Sequence, residues 1–275
     1  MIVCKTREEL SACLSDINGK IGFVPTMGAL HEGHLSLIRK SKTDNDFTIC
    51  SVFVNPTQFN DPKDFEKYPN TIDADITKLN SVGCDLLFLP QVNDMYKRKN
   101  VLQFNFGTLE NVMEGAMRPG HFNGVGTIVA KLFHLIPAHK AYFGQKDLQQ
   151  FAIINELVEA LSFPIELEMC PIVREENGLA MSSRNERLSP EDRKNASILY
   201  KSLQTLREAI KDEVEPHLSN MEAELRANSD FKLEYLSVVD QLSLQSIKKI
   251  DPTKKTAICI AAFFGEVRLI DNLVF

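Results

Sequence analysis

The first two-thirds of the chain alternate short apolar runs with longer stretches in which apolar residues recur at helical spacing. The apolar runs predict strands at 21–25, 47–54, 84–90, 141–144 and 164–171. The periodic stretches predict helices that begin near residues 35 and 71 and that cover 124–136 and 148–162. Strands that alternate with helices at this spacing are typical of a doubly wound α/β sheet, so we expect a Rossmann-like parallel sheet.

The pattern changes after residue 189. A charged helical stretch covers 190–212, and a second helix is predicted near 216–228. Three strand-like runs follow, at 231–240, 256–265 and 266–275. This order predicts a smaller C-terminal α+β domain. We therefore expect two domains, residues 1–185 and 186–275.

Composition narrows the class of protein. The 275 residues include 31 Lys and Arg against 37 Asp and Glu, a formal net charge of −6, which argues against a broad nucleic-acid or anionic-membrane surface. No apolar stretch reaches the roughly 18 residues that a membrane span needs, and the first residues lack the apolar core of a signal peptide. The six cysteines are scattered without a CxxC pair, which favours free thiols over disulfides. We expect a cytoplasmic protein.

Polar segments follow four of the predicted strands. They are PTMGALHEGH (25–34), NPTQF (55–59), GQKDLQQ (144–150) and VREENGLAMSSRN (173–185). Ligands of doubly wound sheets bind beyond the carboxyl ends of the strands, so these four segments are expected to open onto one edge of the sheet.

The segment at 25–34 is the most informative of the four. A glycine loop that leaves a strand and opens a helix presents backbone N–H groups to phosphate, and His31 and His34 would lie on one face of that helix start. Three other motifs do not fit. A zinc protease needs histidines at i and i+4, a P-loop needs Lys-Ser/Thr after its last glycine, and the GxGxxG pattern at 124–129 ends in Val129. Two surface histidines on a turn remain the alternative.

The other segments add cations, hydroxyls and amides. Lys146 is suited to phosphate oxygens, and Asp147 either caps a helix or meets a ribose hydroxyl. Ser182, Ser183 and Arg184 form a group suited to pyrophosphate, although a solvated capping turn explains them equally well. The neutral amides of Gln58 and Gln150 could hold a hydroxylated carboxylate substrate.

Five blocks in this order closely resemble the pantothenate synthetase (pantoate–β-alanine ligase) family: PTMGALHEGH, SVFVNPTQF, RPGHFNGVGTIVAKLF, YFGQKDLQQ and GLAMSSRN. The resemblance runs from about residue 20 to 187, and RLIDN (268–272) is a weaker echo of it. The histidine pair alone is shared with the wider HxGH nucleotidyltransferase superfamily. The resemblance implies that pantoate attacks the α-phosphorus of ATP, with Mg²⁺, and gives pantoyl-adenylate and pyrophosphate. The amine of β-alanine then displaces AMP to form pantothenate.

The resemblance also implies roles for individual residues. His34 would be the donor to the phosphate, with His31, Lys146, Ser182, Ser183 and Arg184 as the other catalytic residues. ATP would be bound by Met27, Gly28, Ala29, Leu30, His31, Glu32, Gly33, His34, Gly144, Gln145, Lys146, Asp147, Val173, Met181, Ser182, Ser183 and Arg184. Gln58 and Gln150 would hold pantoate, with Gln58 also near β-alanine. Mg²⁺ would arrive on the ATP phosphates rather than on protein ligands. A homodimer through the N-terminal domain is implied.

The chain departs from the family pattern at three places. Asn60 stands where the family usually has Gly after NPTQF, Asn70 where it often has Arg, and Lys97 where it often has Pro. These positions fall in or near the loop around 60–70, so the departures bear on loop closure and dimer contacts. The C-terminal domain begins just after Arg184, and a lid over the ATP site is our hypothesis for it.

Two other classes of function are weighed against the ligase, and a tRNA synthetase is counted within the first. One is transfer of AMP to another small acid or to a phosphate, although neutral Gln58 and Gln150 argue against a phosphorylated acceptor. A tRNA synthetase is disfavoured because the second domain shows no basic surface signal. The other is a nucleotide-binding regulator without catalysis, which the presence of both histidines, Lys146 and the Ser182–Arg184 group argues against.

Overall fold

A computed structural model describes residues 1–60, 65–66, 68–98 and 100–275 of the chain. Backbone contacts divide these residues into two compact units. Unit 1 comprises Met1–Gly144 and Gln150–Cys170, and unit 2 comprises Gln145–Gln149 and Pro171–Phe275. The domain boundary after residue 185 and the lid role of the C-terminal domain stay predictions.

Unit 1 is built on a six-stranded parallel sheet. Its strands are β1 (Ile2–Cys4), β2 (Ile21–Thr26), β3 (Phe47–Val52), β4 (Leu86–Phe88), β5 (Lys140–Gly144) and β6 (Glu166–Cys170). They lie in the order β1-β4-β3-β2-β5-β6, and the order reverses between β2 and β5. The predicted Rossmann-like parallel sheet is therefore confirmed.

Helices connect the strands of this sheet. They are α1 (Arg7–Ser15), α2 (Glu32–Asp44), α3 (Ile72–Ser81), α4 (Val92–Met95), α5 (Met113–Met117), α6 (His121–Leu135) and α7 (Leu148–Leu161). Thr6 caps α1, since its side chain accepts the backbone N–H of Glu9. The sequence reading missed β1 and α1, because β1 is only three residues long and lies at the edge of the sheet.

The two faces of the sheet bury separate apolar clusters. Phe23 pairs with Ile49 across β2 and β3, and both lie in a cluster that includes α6 and α7. The next pair, Val24 and Cys50, lies in a second cluster, which includes α2 and α3. Successive residues of a strand point to opposite faces, so strands covered by helices on both sides are predominantly apolar along their whole length. This is why β2 and β3 read as continuous apolar runs.

Unit 2 contains a three-stranded antiparallel sheet with helices. The strands β7 (Lys232–Asp240), β8 (Thr256–Phe264) and β9 (Val267–Val274) lie in that order, with β8 in the centre. The helices are α8 (Pro190–Asn195), α9 (Ile198–Ala209) and α10 (Glu215–Ala227). The predicted α+β class of this region is confirmed.

One predicted helix is divided in the structure. The stretch at 190–212 was expected to form a single helix, but α8 and α9 are separated at Ala196 and Ser197. There the backbone hydrogen bonds change from the α-helical i−4 type to the i−3 type. Ser197 N–H donates to the carbonyl of Lys194, and Leu199 N–H donates to that of Ala196. Ala196 is fully buried in the core of unit 2, so tertiary packing accounts for the tightened turn.

Candidate active site

The segment that leads from the end of β2 into the first turn of α2, residues 27–34, contains a left-handed turn. Gly28 has φ of +84° and Ala29 has φ of +50°. A glycine is required at residue 28, because a Cβ there would approach Val52 to 3.0 Å and Asp75 to 3.1 Å. The Gly28 N–H donates to Thr26 Oγ1, which in turn donates to the carbonyl of Ser51 on β3. We call residues 27–34 the histidine loop.

The two histidines cap α2 reciprocally. Nδ1 of His31 accepts the N–H of Gly33 at 3.1 Å, and Nδ1 of His34 accepts the N–H of His31 at 3.3 Å. Their ring centroids are 4.1 Å apart. Because both Nδ1 atoms act as acceptors, a neutral ring carries its proton on Nε2. Both rings can thus offer Nε2–H donors beside a helix N-terminus, which suits a phosphate ligand.

A carboxylate and an ammonium group from α3 hold the same loop. Asp75 is 1% exposed and accepts the backbone N–H groups of Ala29 at 2.9 Å and Leu30 at 2.8 Å. Lys78, one helical turn later, donates from Nζ to the carbonyl of Leu30 at 2.6 Å. The loop is therefore fixed by side chains that the sequence reading did not select. Nothing in the sequence marks them, since their partners are backbone groups.

Gln58 lies next to the histidine loop and is 8% exposed. Its Nε2 contacts Sδ of Met27 at 3.0 Å, and its Oε1 accepts from Asn55 Nδ2 at 3.0 Å. Asn55 also donates to the carbonyl of Gly124 on α6. With Oε1 occupied by Asn55, Nε2 is the atom that Gln58 presents on the side of Met27, where it can donate to a carboxylate or hydroxyl.

Three further side chains hold Gln58 in place, one through Asn55 and two through the Gln58 backbone carbonyl. Tyr96 donates from its hydroxyl to Asn55 Oδ1 at 2.8 Å, and burial raises the pKa of Tyr96, so it stays a donor at neutral pH. The backbone carbonyl of Gln58 accepts from His121 Nδ1 at 2.7 Å and from Arg118 at 3.3 Å. The NPTQF and RPGHF blocks are thus joined at Gln58, which their distance in sequence does not reveal.

In unit 2, residues 145–147 form a single 3₁₀ turn directly after β5. Lys146 Nζ lies 3.8 Å from Asp147 Oδ2, and the two side chains are 19% and 48% exposed. Asn272 of β9 donates from Nδ2 to the carbonyls of Gln145 and Lys146, both at 2.9 Å. We call residues 145–147 the lysine turn.

The residues around the Met181–Arg184 block form a tight hairpin in unit 2. The N–H of Met181 donates to the carbonyl of Val173, and Arg174 pairs with Ala180. Gly178 turns the hairpin with φ of +93°. Ser182 then caps a 3₁₀ turn over Ser183–Arg187 through the N–H of Arg184. The predicted ATP residues Val173 and Met181 are therefore neighbours.

Glu175 ties this hairpin to two other segments of unit 2. Its carboxylate accepts from Asn185 at 2.8 Å and from Arg193 of α8 at 2.9 Å. Burial opposes ionisation of Glu175, but these hydrogen bonds outweigh it and hold the pKa below its ordinary value.

The predicted site residues fall into two groups. Unit 1 brings together the histidine loop and Gln58, and it also contains Gly144 at the end of β5 and Gln150, half-buried on α7. Unit 2 contains the lysine turn, and its hairpin joins Val173 to the Met181–Arg184 block. The individual roles of all these residues stay predictions.

The three departures from the family pattern lie at or near the surface. Asn60 is exposed and donates to the carbonyl of Pro119 at 2.6 Å, and Asn70 and Lys97 are exposed. Part of the predicted loop at 60–70, residues 61–64 and 67, lies outside the described residues.

The described residues contain neither a clustered metal site nor a helix that could span a membrane. Among them, no group of three or more His, Cys, Asp or Glu side chains is placed to hold a metal ion. In the same part of the chain, no helix is both long and apolar enough to cross a bilayer.

Comparison with known sequences gives matches over nearly the whole chain. The sequence profile described as pantoate-beta-alanine ligase matches residues 2–274. A pantothenate synthetase of Cytophaga hutchinsonii is 48% identical over 260 residues, which cover 94% of this chain and 92% of that protein. A pantothenate synthetase of Bacteroides fragilis is 48% identical over 279 residues, with coverage of 100% and 99%.

Solved structures give the same result. The fold matches a pantothenate synthetase of Thermus thermophilus with a TM-score of 0.92 and 42% identity, and 99% of each chain is covered. It matches a pantoate-beta-alanine ligase of Francisella tularensis, complexed with beta-gamma ATP and beta-alanine, with a TM-score of 0.83 and 36% identity over 100% of this chain and 97% of that one. The resemblance read from the five sequence blocks is confirmed, and the chain belongs to the pantoate–β-alanine ligase family.

Proposed function

We propose that the protein condenses (R)-pantoate with β-alanine at the expense of ATP, giving pantothenate, AMP and pyrophosphate. The observation that carries the proposal is the reciprocal capping of α2 by His31 and His34, which holds both imidazole rings at one helix N-terminus with Nδ1 as the acceptor. The Francisella tularensis relative supports the substrate class, since it is described as a complex with beta-gamma ATP and beta-alanine.

In the first step, a carboxylate oxygen of pantoate attacks the α-phosphorus of ATP. The bond to the β-phosphate oxygen breaks, and pyrophosphate leaves with pantoyl-adenylate formed. Negative charge accumulates on the α-phosphate oxygens as the new bond forms, so preorganised donors accelerate the step. We assign this role to His34 and His31 and to Lys146 and Arg184, with the hydroxyls of Ser182 and Ser183 as further donors.

Pantoate is held by neutral amides in this proposal. Gln58 offers Nε2–H because Asn55 occupies its Oε1, and Gln150 offers a second amide from α7. Amides can bind the hydroxyls and carboxylate of pantoate without the charge that would bind the carboxylate too firmly for it to act as a nucleophile.

In the second step, the amine of β-alanine attacks the acyl carbon of pantoyl-adenylate. The carbon–oxygen bond to AMP breaks, the amine loses a proton, and an amide forms. Both steps place the nucleophile in a substrate, so the protein contributes alignment and charge stabilisation and needs no nucleophilic side chain of its own.

Three accompanying features belong to the same proposal. Mg²⁺ would enter with ATP and would neutralise part of the phosphate charge. The protein works as a homodimer through its N-terminal domain, and it is cytoplasmic.

The direct test of the proposal is pyrophosphate release from ATP, measured with and without pantoate and with and without β-alanine. We expect release that requires pantoate, and AMP formed in equal amount with pantothenate when β-alanine is also present. ATP turnover indifferent to pantoate, or equal turnover with an unrelated small acid, would contradict it.

The assigned donors can be tested singly. His34→Ala and Lys146→Ala are each expected to lower the rate of pantoate-dependent pyrophosphate release by about 100-fold or more, the usual loss when one preorganised donor is removed. His134→Ala, on the exposed face of α6, and Lys201→Ala, exposed on α9, serve as matched controls with wild-type rates. Wild-type activity in either donor variant would remove that residue from the mechanism.

A further inference from the structure

Strand β9 carries two polar residues into the core region of unit 2. Asp271 and Asn272, from the RLIDN block, are each 3% exposed. Burying a carboxylate and an amide costs free energy unless their polar atoms find partners. The proposed reaction uses neither residue. The hydrogen-bond partners of Asp271 and Asn272 therefore indicate why these polar side chains are buried.

The side chain of Asn272 binds the lysine turn. Its Nδ2 donates to the carbonyls of Gln145 and Lys146, both at 2.9 Å, and its Oδ1 accepts from Gln145 Nε2 at 3.1 Å. Both amide hydrogens are thus used on consecutive carbonyls of a single turn. Those bonds fix the peptide planes on either side of Lys146 and so fix the direction in which its side chain leaves the backbone.

Asp271 and Arg174 hold Asn272 itself. Asp271 accepts from both terminal nitrogens of Arg174, at 2.6 and 2.9 Å, and from the backbone N–H of Asn272 at 2.8 Å. The Arg174 guanidinium also stacks on the ring of Tyr200, 3.6 Å from its centroid, and donates to the carbonyl of Gly178. A two-point Arg–carboxylate pair with an aromatic beneath it has little freedom, so the backbone at 271–272 is rigidly set.

We propose that Asn272 is a positioning residue for the nucleotide: it holds the lysine turn so that Lys146 is preset for the phosphates of ATP. Asp271 and Arg174 orient Asn272. The proposal rests on the proposed function for the role of Lys146, and it gives the C-terminal domain a defined part in the chemistry.

The proposal is tested with Asn272→Ala and Asn272→Asp in the full-length protein. Alanine removes all three side-chain hydrogen bonds, whereas aspartate keeps the size and the acceptor but turns an oxygen towards two carbonyls. Leu225→Ala on α10 and Val238→Ala on β7 lower stability by removing apolar side chains from the core of unit 2, and neither residue lies on β9 or in the lysine turn. These variants serve as controls, because they show how a loss of thermal stability alone affects nucleotide binding.

The first readout is affinity for a non-hydrolysable ATP analogue, measured by calorimetry. A displacement of about 1 Å in a positioned group can cost about 100-fold, so we expect both Asn272 variants to bind the analogue at least about 10-fold more weakly. Pantoate-dependent pyrophosphate release should fall by a similar factor. The control variants should bind the analogue with wild-type affinity at a temperature where all are folded.

The second readout is a double-mutant cycle with Lys146→Ala. If Asn272 acts through Lys146, removing Asn272 in the Lys146→Ala background should change analogue affinity by only about 2-fold. Full additivity, wild-type affinity in Asn272→Ala, or equal weakening in Leu225→Ala would overturn the proposal. Wild-type protein that releases no pyrophosphate with pantoate would instead reject the proposed function, while the analogue titrations would still decide the role of Asn272.

Discussion

At the scale of single residues, the histidine loop depends on Asp75. Ala29 has a left-handed backbone, which costs an L-residue roughly 1–2 kcal/mol. The carboxylate of Asp75 accepts the N–H groups of Ala29 and Leu30 on the far side of that turn. One buried acceptor thus offsets the strain and holds the backbone that leads into His31.

Replacing Asp75 by asparagine should show this directly. The amide can accept with its oxygen only and turns N–H groups towards backbone N–H groups, so we expect a loss of about 2–3 kcal/mol in the free energy of unfolding, measured by urea titration. Asp73→Asn, the same change at an exposed position of α3, should cost less than about 1 kcal/mol. If both variants lost the same free energy of unfolding, the contribution of Asp75 would come only from its negative charge near the start of α3 and not from its hydrogen bonds to the histidine loop.

Asp75 also shows which residues of a site cannot be predicted from the sequence. The histidine loop, the lysine turn and Gln58 were selected because their residue types have a recognisable chemistry after a strand. Asp75 and Asn272 were not, because they bind backbone groups, and every residue has the same N–H and C=O. Their partners lie 45 and 126 residues away, so no local spacing could reveal them.

At the scale of elements, Glu175 connects three short segments of unit 2. It lies on the Arg174–Ala180 hairpin and binds Asn185 of the 3₁₀ turn and Arg193 of α8. Each segment is too short to be stable alone. The charged hydrogen bonds to Glu175 therefore contribute to the order of the Met181–Arg184 block that lies between them.

The lowered pKa of Glu175 gives this link a pH dependence. A depressed pKa in the folded chain means that the stabilisation is complete above the pKa of about 4.3 of an unfolded glutamate, and is lost as the pH falls through the lower folded value. Glu175→Gln should therefore lower the free energy of unfolding by roughly 1–2 kcal/mol at neutral pH, with a difference that shrinks below pH ~4. Urea titrations across this range measure it.

The matched control for this prediction is Glu208→Gln, at an exposed position of α9. Its effect on the free energy of unfolding should stay within about 0.5 kcal/mol at every pH. If the Glu175 variant lost the same stability at acid and neutral pH, the ionised carboxylate would not be the source of its contribution.

At the scale of the whole molecule, burial explains why some elements could be predicted from the sequence and why the bounds of others could not. β2 and β3 were recognisable because both faces of the parallel sheet are covered, which leaves mostly apolar positions in the strands, with the buried Thr48 and Ser51 of β3 as exceptions. The break between α8 and α9 was not, because it arises from the packing of Ala196 in the core of unit 2 rather than from a helix-breaking residue. Local signals specify elements, and tertiary contacts then adjust their ends.

The reactivity of the cysteine thiols measures how well the core of each unit is shielded from solvent. All six cysteines are free and all but Cys13 are buried. Burial raises the pKa of Cys4 and Cys84 to about 12 and that of Cys170 to about 11, which suppresses the reactive thiolate. A disulfide reagent such as dithionitrobenzoate should therefore start quickly only at Cys13 in the native protein, with at most one further equivalent released by exchange with Cys4, whose Sγ lies 3.5 Å away, and should react with all six thiols in concentrated guanidinium.

Cys13→Ser should abolish the rapid phase of this reaction and leave the total in guanidinium lower by one thiol. Several fast thiols in the native protein would mean that one of the two units opens readily at its core.

The position of Asn272 in the chain has a consequence for biosynthesis. A ribosome delivers β2 and the histidine loop early, whereas β9 follows every other strand. If Asn272 anchors the lysine turn, a nascent chain can complete its histidine loop well before Lys146 has any anchor. Tight nucleotide binding is then expected only after β9 has emerged and paired with β8, so a chain that stops before β9 should bind the ATP analogue weakly even when its histidine loop has formed.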